Sequence, residues 1–135
     1  MKTLLKTLFF FSLLAFYACN DKKDLVYTND WIAKSITHAN GVFETPNFEY
    51  LFIVEKKNEF SLRLDINTCG GNVKFQRKTV EFKNDIFCTE ACCDSDFALS
   101  LINKLPTTEK WTVEGNLLIL ENDNGLKIVF EKKNE

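Results

Sequence analysis

The chain has 135 residues, 45% of them hydrophobic and 27% charged, with 17 basic and 19 acidic side chains, one histidine and five cysteines. That length suffices for one domain with a buried core. The mildly acidic balance is spread along the chain and excludes the basic footprint of a nucleic-acid binder.

Lys2 and Lys6 precede a mostly apolar stretch, Leu8 to Ala15, which closes on Phe16-Tyr17-Ala18-Cys19. A positive start, a short apolar core and a small residue at the cut site predict a secretory signal over residues 1–18. The run is shorter than the roughly 20 apolar residues a spanning helix needs. An ordinary signal cut after Ala18, or an uncleaved anchor, is the plainer alternative. Ala18-Cys19, followed by the polar run Asn20-Asp21-Lys22-Lys23-Asp24, resembles a bacterial lipobox with its tether. Phe16 and Tyr17 are bulkier than the Leu and small residue usual there, a looseness found in the lipoboxes of Bacteroidetes. The resemblance implies cleavage before Cys19, lipid on Cys19, and anchorage to a membrane of the bacterial envelope. The outer membrane is the expected one, on its periplasmic or surface face. Losing Lys2 and Lys6 with the signal leaves 15 basic against 19 acidic residues, a net charge of −4.

Residues 19–28 carry little hydrophobic pattern and read as a polar tether, with one domain over 29–133 that opens near Trp31. Asp30 to Ile36 predicts a first strand, and Asn40-Gly41 a tight turn, since both residues tolerate positive φ. Phe48 to Val54 is apolar and aromatic, and Lys56-Lys57-Asn58 makes a polar turn. Phe60, Leu62, Leu64 and Ile66 alternate with polar residues, the cleanest half-buried strand in the chain. Thr68-Cys69-Gly70-Gly71-Asn72 is expected to break it. Val73 and Phe75 begin another strand, continued by Val80, Phe82, Ile86 and Phe87.

One helix is predicted, over about 94–105. Asp94 or Ser95 can cap it, Phe97, Ala98, Leu101, Ile102 and Leu105 give it one apolar face, and Pro106 ends it. The tail predicts a β-meander: Trp111 and Val113, then Leu117 to Leu120, then Leu126, Ile128 and Phe130, with turns at Gly115-Asn116 and Asn122 to Gly125. Strands joined by tight turns are antiparallel. The expected fold is therefore α+β, a mostly antiparallel, strongly curved sheet or partial barrel packed over one helix.

Four cysteines follow Cys19: Cys69, Cys88, Cys92 and Cys93. An even number in an exported chain suggests disulfides. Adjacent cysteines meet disulfide geometry with difficulty, so the expected pairing sends Cys69 to Cys92 or Cys93, and Cys88 to the other.

Several segments together resemble the META-domain (HslJ-like) family. They are Trp31 as an opening tryptophan strand, the strand from Phe60 into Thr68-Cys69-Gly70-Gly71-Asn72, and Cys88-Thr89-Glu90-Ala91-Cys92-Cys93 ahead of the helix. Phe97 to Leu105 matches the single helix, and Trp111 to Phe130 the closing meander. The order of cysteine and glycine in the turn differs from the family's, and Cys88 and Cys93 are additional. The resemblance covers nearly all of 29–133. It implies a non-enzymatic envelope domain associated with stress or antibiotic tolerance, with no catalytic residues to carry over.

The residues themselves point the same way. His38 is the sole histidine and lies beside a turn, where such a residue is ordinarily surface. Cys-His catalysis would need a thiolate, a nearby base and an orienting group. Asp94 and Asp96 read as helix N-terminal acids. The spacing of the cysteines lacks the paired short knuckles of structural zinc sites. The expectation is no catalytic residue, no metal and no cofactor. The expected partners are a membrane, reached through the lipid, and an envelope protein or ligand. A second reading is a proteinaceous inhibitor of a hydrolase such as lysozyme, presenting loop 38–47 or 67–72. A third, a thiol oxidoreductase using Cys88 to Cys93, would need an exposed thiol of low pKa and lacks a Cys-x-x-Cys.

Overall fold

The computed structural model describes residues 22–134. A helix over 22–28 (α1) precedes strands β1 (Trp31–Thr37), β2 (Phe43–Glu44), β3 (Leu51–Glu55), β4 (Glu59–Arg63), β5 (Thr68–Phe75), β6 (Val80–Phe82) and β7 (Phe87–Cys88). Helix α2 (Asp96–Lys104) and a 3-10 turn (Leu105–Thr107) follow, then β8 (Lys110–Glu114), β9 (Leu117–Glu121) and β10 (Lys127–Lys132).

Turn chemistry explains most of the connections. Asn58 joins β3 to β4 with φ 62°, Gly115 joins β8 to β9 with φ 61°, and Gly125 lies between β9 and β10 with φ 92°. The Asn122 side chain accepts from the amides of Asn124 and Leu126, closing that last turn. The resulting sheet is antiparallel in the order β6-β5-β4-β3-β1-β10-β9-β8, with β2 added to β1 and β7 to β5. Its two outer strands approach each other. Thr79 and Lys110 form an isolated bridge, Val80 N–H donates to Glu109 O at 3.0 Å, and Trp111 N–H donates to Lys78 O at 3.2 Å. The sheet is thus nearly closed into a barrel with one seam, which is the curved α+β architecture that the alternation and tight turns predict.

Period-two alternation sends one set of side chains into the barrel. Phe52, Val54, Phe60, Leu62, Leu118, Leu120, Ile128 and Phe130 are buried there, with the Phe52 and Phe130 rings stacked at 5.0 Å between centroids. A bulge between Ala33 and Ser35 shifts the alternation in β1, so that Ile36 is also buried. Both tryptophans are buried with their indole N–H satisfied, Trp31 by Val26 O at 3.1 Å and Trp111 by Gln76 O at 2.7 Å.

Two expectations need correction. Gly70-Gly71 does not break the chain: both glycines lie inside β5, paired with Ser61 and Phe60 of β4. Close approach, and not a turn, is what requires them. A Cβ on Gly70 would stand 3.0 Å from Phe60 O and 3.3 Å from the Phe87 ring, and one on Gly71 would stand 3.2 Å from the Phe60 ring. Phe60 to Ile66 is correspondingly shorter as a strand, ending at Arg63 with Ile66 exposed in the turn to β5.

The tether expected over 19–28 is also shorter, since residues 22–28 are helical and belong to the domain. Val26 is fully buried, and the Tyr27 ring meets Phe75 edge-on at 6.2 Å. Thr28 and Asn29 donate to the carbonyls of Asp24 and Leu25 and finish the helix. Two inward residues in a polar run are too few to display a helical period. The signal peptide and Cys19 lie outside the described residues.

Candidate functional site

The densest polar constellation lies where the β4–β5 turn meets the segment leading into α2. Ser95 is the N-cap of α2, its hydroxyl accepting from Ala98 N–H at 3.2 Å. The same hydroxyl is 2.9 Å from the Tyr50 hydroxyl, which donates to Asp65 Oδ1 at 2.6 Å. Ser95 N–H donates to Asp65 Oδ2 at 2.7 Å. Asp94 lies beside this group and accepts from the amides of Ile66 and Asn67 at 3.0 and 3.2 Å and from Asn67 Nδ2 at 2.6 Å. Asn67 is buried and pairs with Ala91 in both directions, Nδ2 to Ala91 O at 2.7 Å and Ala91 N–H to Oδ1 at 2.8 Å. Thr89 adds a bond from its hydroxyl to Asn67 Oδ1 at 2.8 Å.

Electrostatics follow from this geometry. Burial pushes the Asp65 carboxyl up, but hydrogen bonds from the Tyr50 hydroxyl and from Ser95 outweigh it and hold the group below the ordinary aspartate value. Asp94 behaves alike: burial raises it, and the Asn67 side chain with the amides of Ile66 and Asn67 brings it lower overall. Tyr50 is pushed up, first by burial and then by its bond to Asp65. Carboxylates saturated with donors act as clasps, joining two loops and the helix cap through charge-assisted bonds. Asp94 is therefore a loop-to-loop acceptor more than the helix-dipole acid expected of it, while Asp96 does sit in the first helical turn.

The clasp has a pH signature. A carboxylate with a depressed folded pKa contributes stability above its unfolded value, here near 3.8, and loses it as pH falls through the folded value. Resistance to urea should therefore fall as pH drops below about 4. Asn67→Ala removes a partner of Asp94 and leaves Ala91 N–H without its acceptor. It should cost about 1–3 kcal/mol at neutral pH and flatten the acid limb. An unchanged limb in the variant would mean the carboxylates are not coupled to Asn67.

The four cysteines among the described residues are paired, though not as expected. Cys69 is bonded to Cys88, and Cys92 to Cys93. Register explains the first bond: β5 and β7 run antiparallel with Cys69 directly opposite Cys88. The expected bridge from Cys69 to the vicinal pair treats residues 68–72 as a free turn, whereas Cys69 is fixed in the barrel wall and buried. The remaining two cysteines then have each other.

Of the two loops considered as projecting elements, 67–72 is withdrawn, since Thr68 to Asn72 are strand residues. The segment 38–47 turns back onto β1 through β2 and carries exposed apolar residues. Gly41 takes φ 83° in its turn, and Val42, Phe43 and nearby Phe48 are 50%, 63% and 64% exposed. His38 lies at its base, its Nε2 2.5 Å from Glu44 Oε1, and Ser100 of α2 reaches the same oxygen at 3.4 Å. The histidine closes the segment on itself, and Glu44 links it to α2. Among the described residues, no group of three or more His, Cys, Asp or Glu side chains is arranged to hold a metal ion.

Sequence reading missed Tyr50, Asp65, Asn67 and Thr89. The available signal is Asp65-Ile66-Asn67-Thr68, a polar cluster placed where apolar alternation stops, which matches in chemistry the Asp94-Ser95 cap it binds.

No protein-family model matches the sequence, and no protein of described function does. Solved structures do resemble it. A protein from Burkholderia xenovorans, determined by NMR, superposes with a TM-score of 0.67 at 16% identity, over 83% of this chain and 86% of that one. A DUF4847 family protein from Bacteroides vulgatus superposes with a TM-score of 0.64 at 10% identity, over 84% of this chain and 98% of that one. At such identities the likeness is one of fold.

Proposed function

We propose that this protein is an exported, lipid-anchored binding or scaffold domain of the bacterial envelope, non-enzymatic and META/HslJ-like, serving stress or antibiotic tolerance. The observation that carries the export reading is the Cys69–Cys88 bond built into the barrel wall, which suits an oxidising compartment. The sequence ahead of Cys19 supplies the route and the anchor. Binding is favoured by exposed Val42 and Phe43 in segment 38–47 and by exposed Phe48 just beyond it, because apolar and aromatic side chains grouped at the surface mark interaction sites. The polar clasp spends its carboxylates on backbone and side-chain donors, as a rigid scaffold requires.

Anchorage is tested directly. Cys19→Ala, expressed in the native host, should abolish labelling by a fatty-acid analogue and block normal processing. Labelling that persists in the variant would overturn the lipid anchor. Deleting the gene and measuring antibiotic susceptibility tests the tolerance role.

The hydrolase-inhibitor reading retains one supporting feature, the same exposed segment, since an inhibitor needs a loop that enters its target's cleft. A lysozyme assay separates the two readings. Inhibition that Phe43→Ala removes would favour the inhibitor, and full lysozyme activity in the presence of excess protein would eliminate it for that target.

A further inference from the structure

The two disulfides stand in opposite environments. Cys69 is buried in the barrel wall and its bond to Cys88 ties β5 to β7, spanning a separation of 19 residues. Cys92 and Cys93 are both exposed, and their bond spans a separation of 1. Ring closure that short removes almost no freedom from an unfolded chain. The loop around them is also held without it. Ala91 on one side is fixed to Asn67 by two hydrogen bonds, and Asp94 on the other is fixed to Ile66 and Asn67 by three. Only Cys92 and Cys93 lie between those anchors, and Cys93 takes φ 89°, a left-handed conformation uncommon for a residue with a side chain. Opening the bond would let that residue relax while the flanks stay clasped.

We propose that Cys92–Cys93 is a solvent-facing thiol–disulfide exchange site, reduced by dithiol proteins of the envelope and reoxidised by proteins of that class in their disulfide form, while Cys69–Cys88 stays closed. In the exchange, a partner thiolate attacks the sulfur of one of the two cysteines. The Cys92–Cys93 bond breaks, a mixed disulfide forms, and the other cysteine leaves as a thiolate that takes up a proton. The partner's second thiol then attacks the mixed disulfide, freeing the first cysteine as a thiol. The partner ends as a disulfide, and two electrons and two protons have passed to this protein. Exposure of both residues favours the attack, since exchange rates depend on access to the sulfur attacked.

The test uses the mature chain, oxidised and folded, titrated with dithiothreitol and then alkylated and mapped by mass spectrometry. Cys92 and Cys93 should be labelled together at about tenfold lower dithiol than Cys69 and Cys88, with the circular dichroism of the barrel unchanged. Labelling of Cys69 and Cys88 first or simultaneously would overturn the proposal. So would loss of folded signal as Cys92 and Cys93 open. A Cys92→Ser/Cys93→Ser variant provides a control independent of reductant. Its thermal midpoint should match the parent, and a large drop would show that the bond holds the fold and is no exchange site.

Discussion

Removing the Cys69–Cys88 bond is expected to lower the stability of the folded domain by about 3 kcal/mol, within the 2–5 kcal/mol typical of small exported domains. The separation of 19 residues sets the scale. Without the bond, the unfolded chain regains the freedom of a loop of that size. Native contacts offset little of this, because β7 is only two residues long, with Phe87 exposed, and is held mainly by its pairing with β5. Against a total stability of about 5–15 kcal/mol the loss is large. Cys69→Ala/Cys88→Ala is the variant to use, since alanine suits the buried position at 69. Urea denaturation should show a midpoint shifted well below the parent's, whereas the fully reduced parent should approach the variant. An unchanged midpoint would show either that the two cysteines are not bonded or that the 69–88 loop is equally restricted when unfolded.

The physical reasons for what sequence reveals are visible in particular residues. Alternation in Phe60, Leu62 and in Leu126, Ile128, Phe130 is local, so a half-buried strand announces itself within a few residues. The turns at Asn58, Gly115 and Gly125 do likewise, since positive φ restricts which residues fit. The cap at Asp94 or Ser95 is legible because a short side-chain oxygen can accept a free amide at the helix start, as Ser95 does. Gly70 and Gly71 mislead because glycine signals both a turn and a close approach, and only the position of Phe60 and Phe87 distinguishes them. The cysteine pairing fails by the same route: once 68–72 is taken for a turn, Cys69 loses the strand register that faces it to Cys88. The clasp of Tyr50, Asp65, Asn67, Asp94 and Ser95 joins residues up to 45 positions apart, and no local period encodes such a meeting. Helix α1 hides for yet another reason. Its contribution rests on one buried valine and one partly buried tyrosine, too little apolar surface to form a pattern.

Leu101→Ala should cost about 2–5 kcal/mol, as deletion of a buried leucine side chain does when its surroundings relax only partly. The helix that carries it is short, nine residues from Asp96 to Lys104, so its own hydrogen bonds cannot sustain it. It persists because one face joins the core. Phe97, Ala98 and Leu101 are buried, Leu105 follows in the 3-10 turn, and the Phe97 ring lies 5.3 Å from that of Tyr50. Leu101 is fully buried at the centre of that face, with Ile102 packed at its margin. Its loss would leave a void beside side chains that the Tyr50–Asp65–Ser95 clasp holds in place, which limits collapse into the space. Lys104 is exposed in the last turn, where its charge suits the helix dipole, so Lys104→Ala should cost under about 1 kcal/mol. Denaturant midpoints of the two variants, measured with the disulfides intact, give the comparison. Equal losses would mean that α2 presents a different face to the barrel, and a small loss at Leu101 alone would mean that the core closes over the gap.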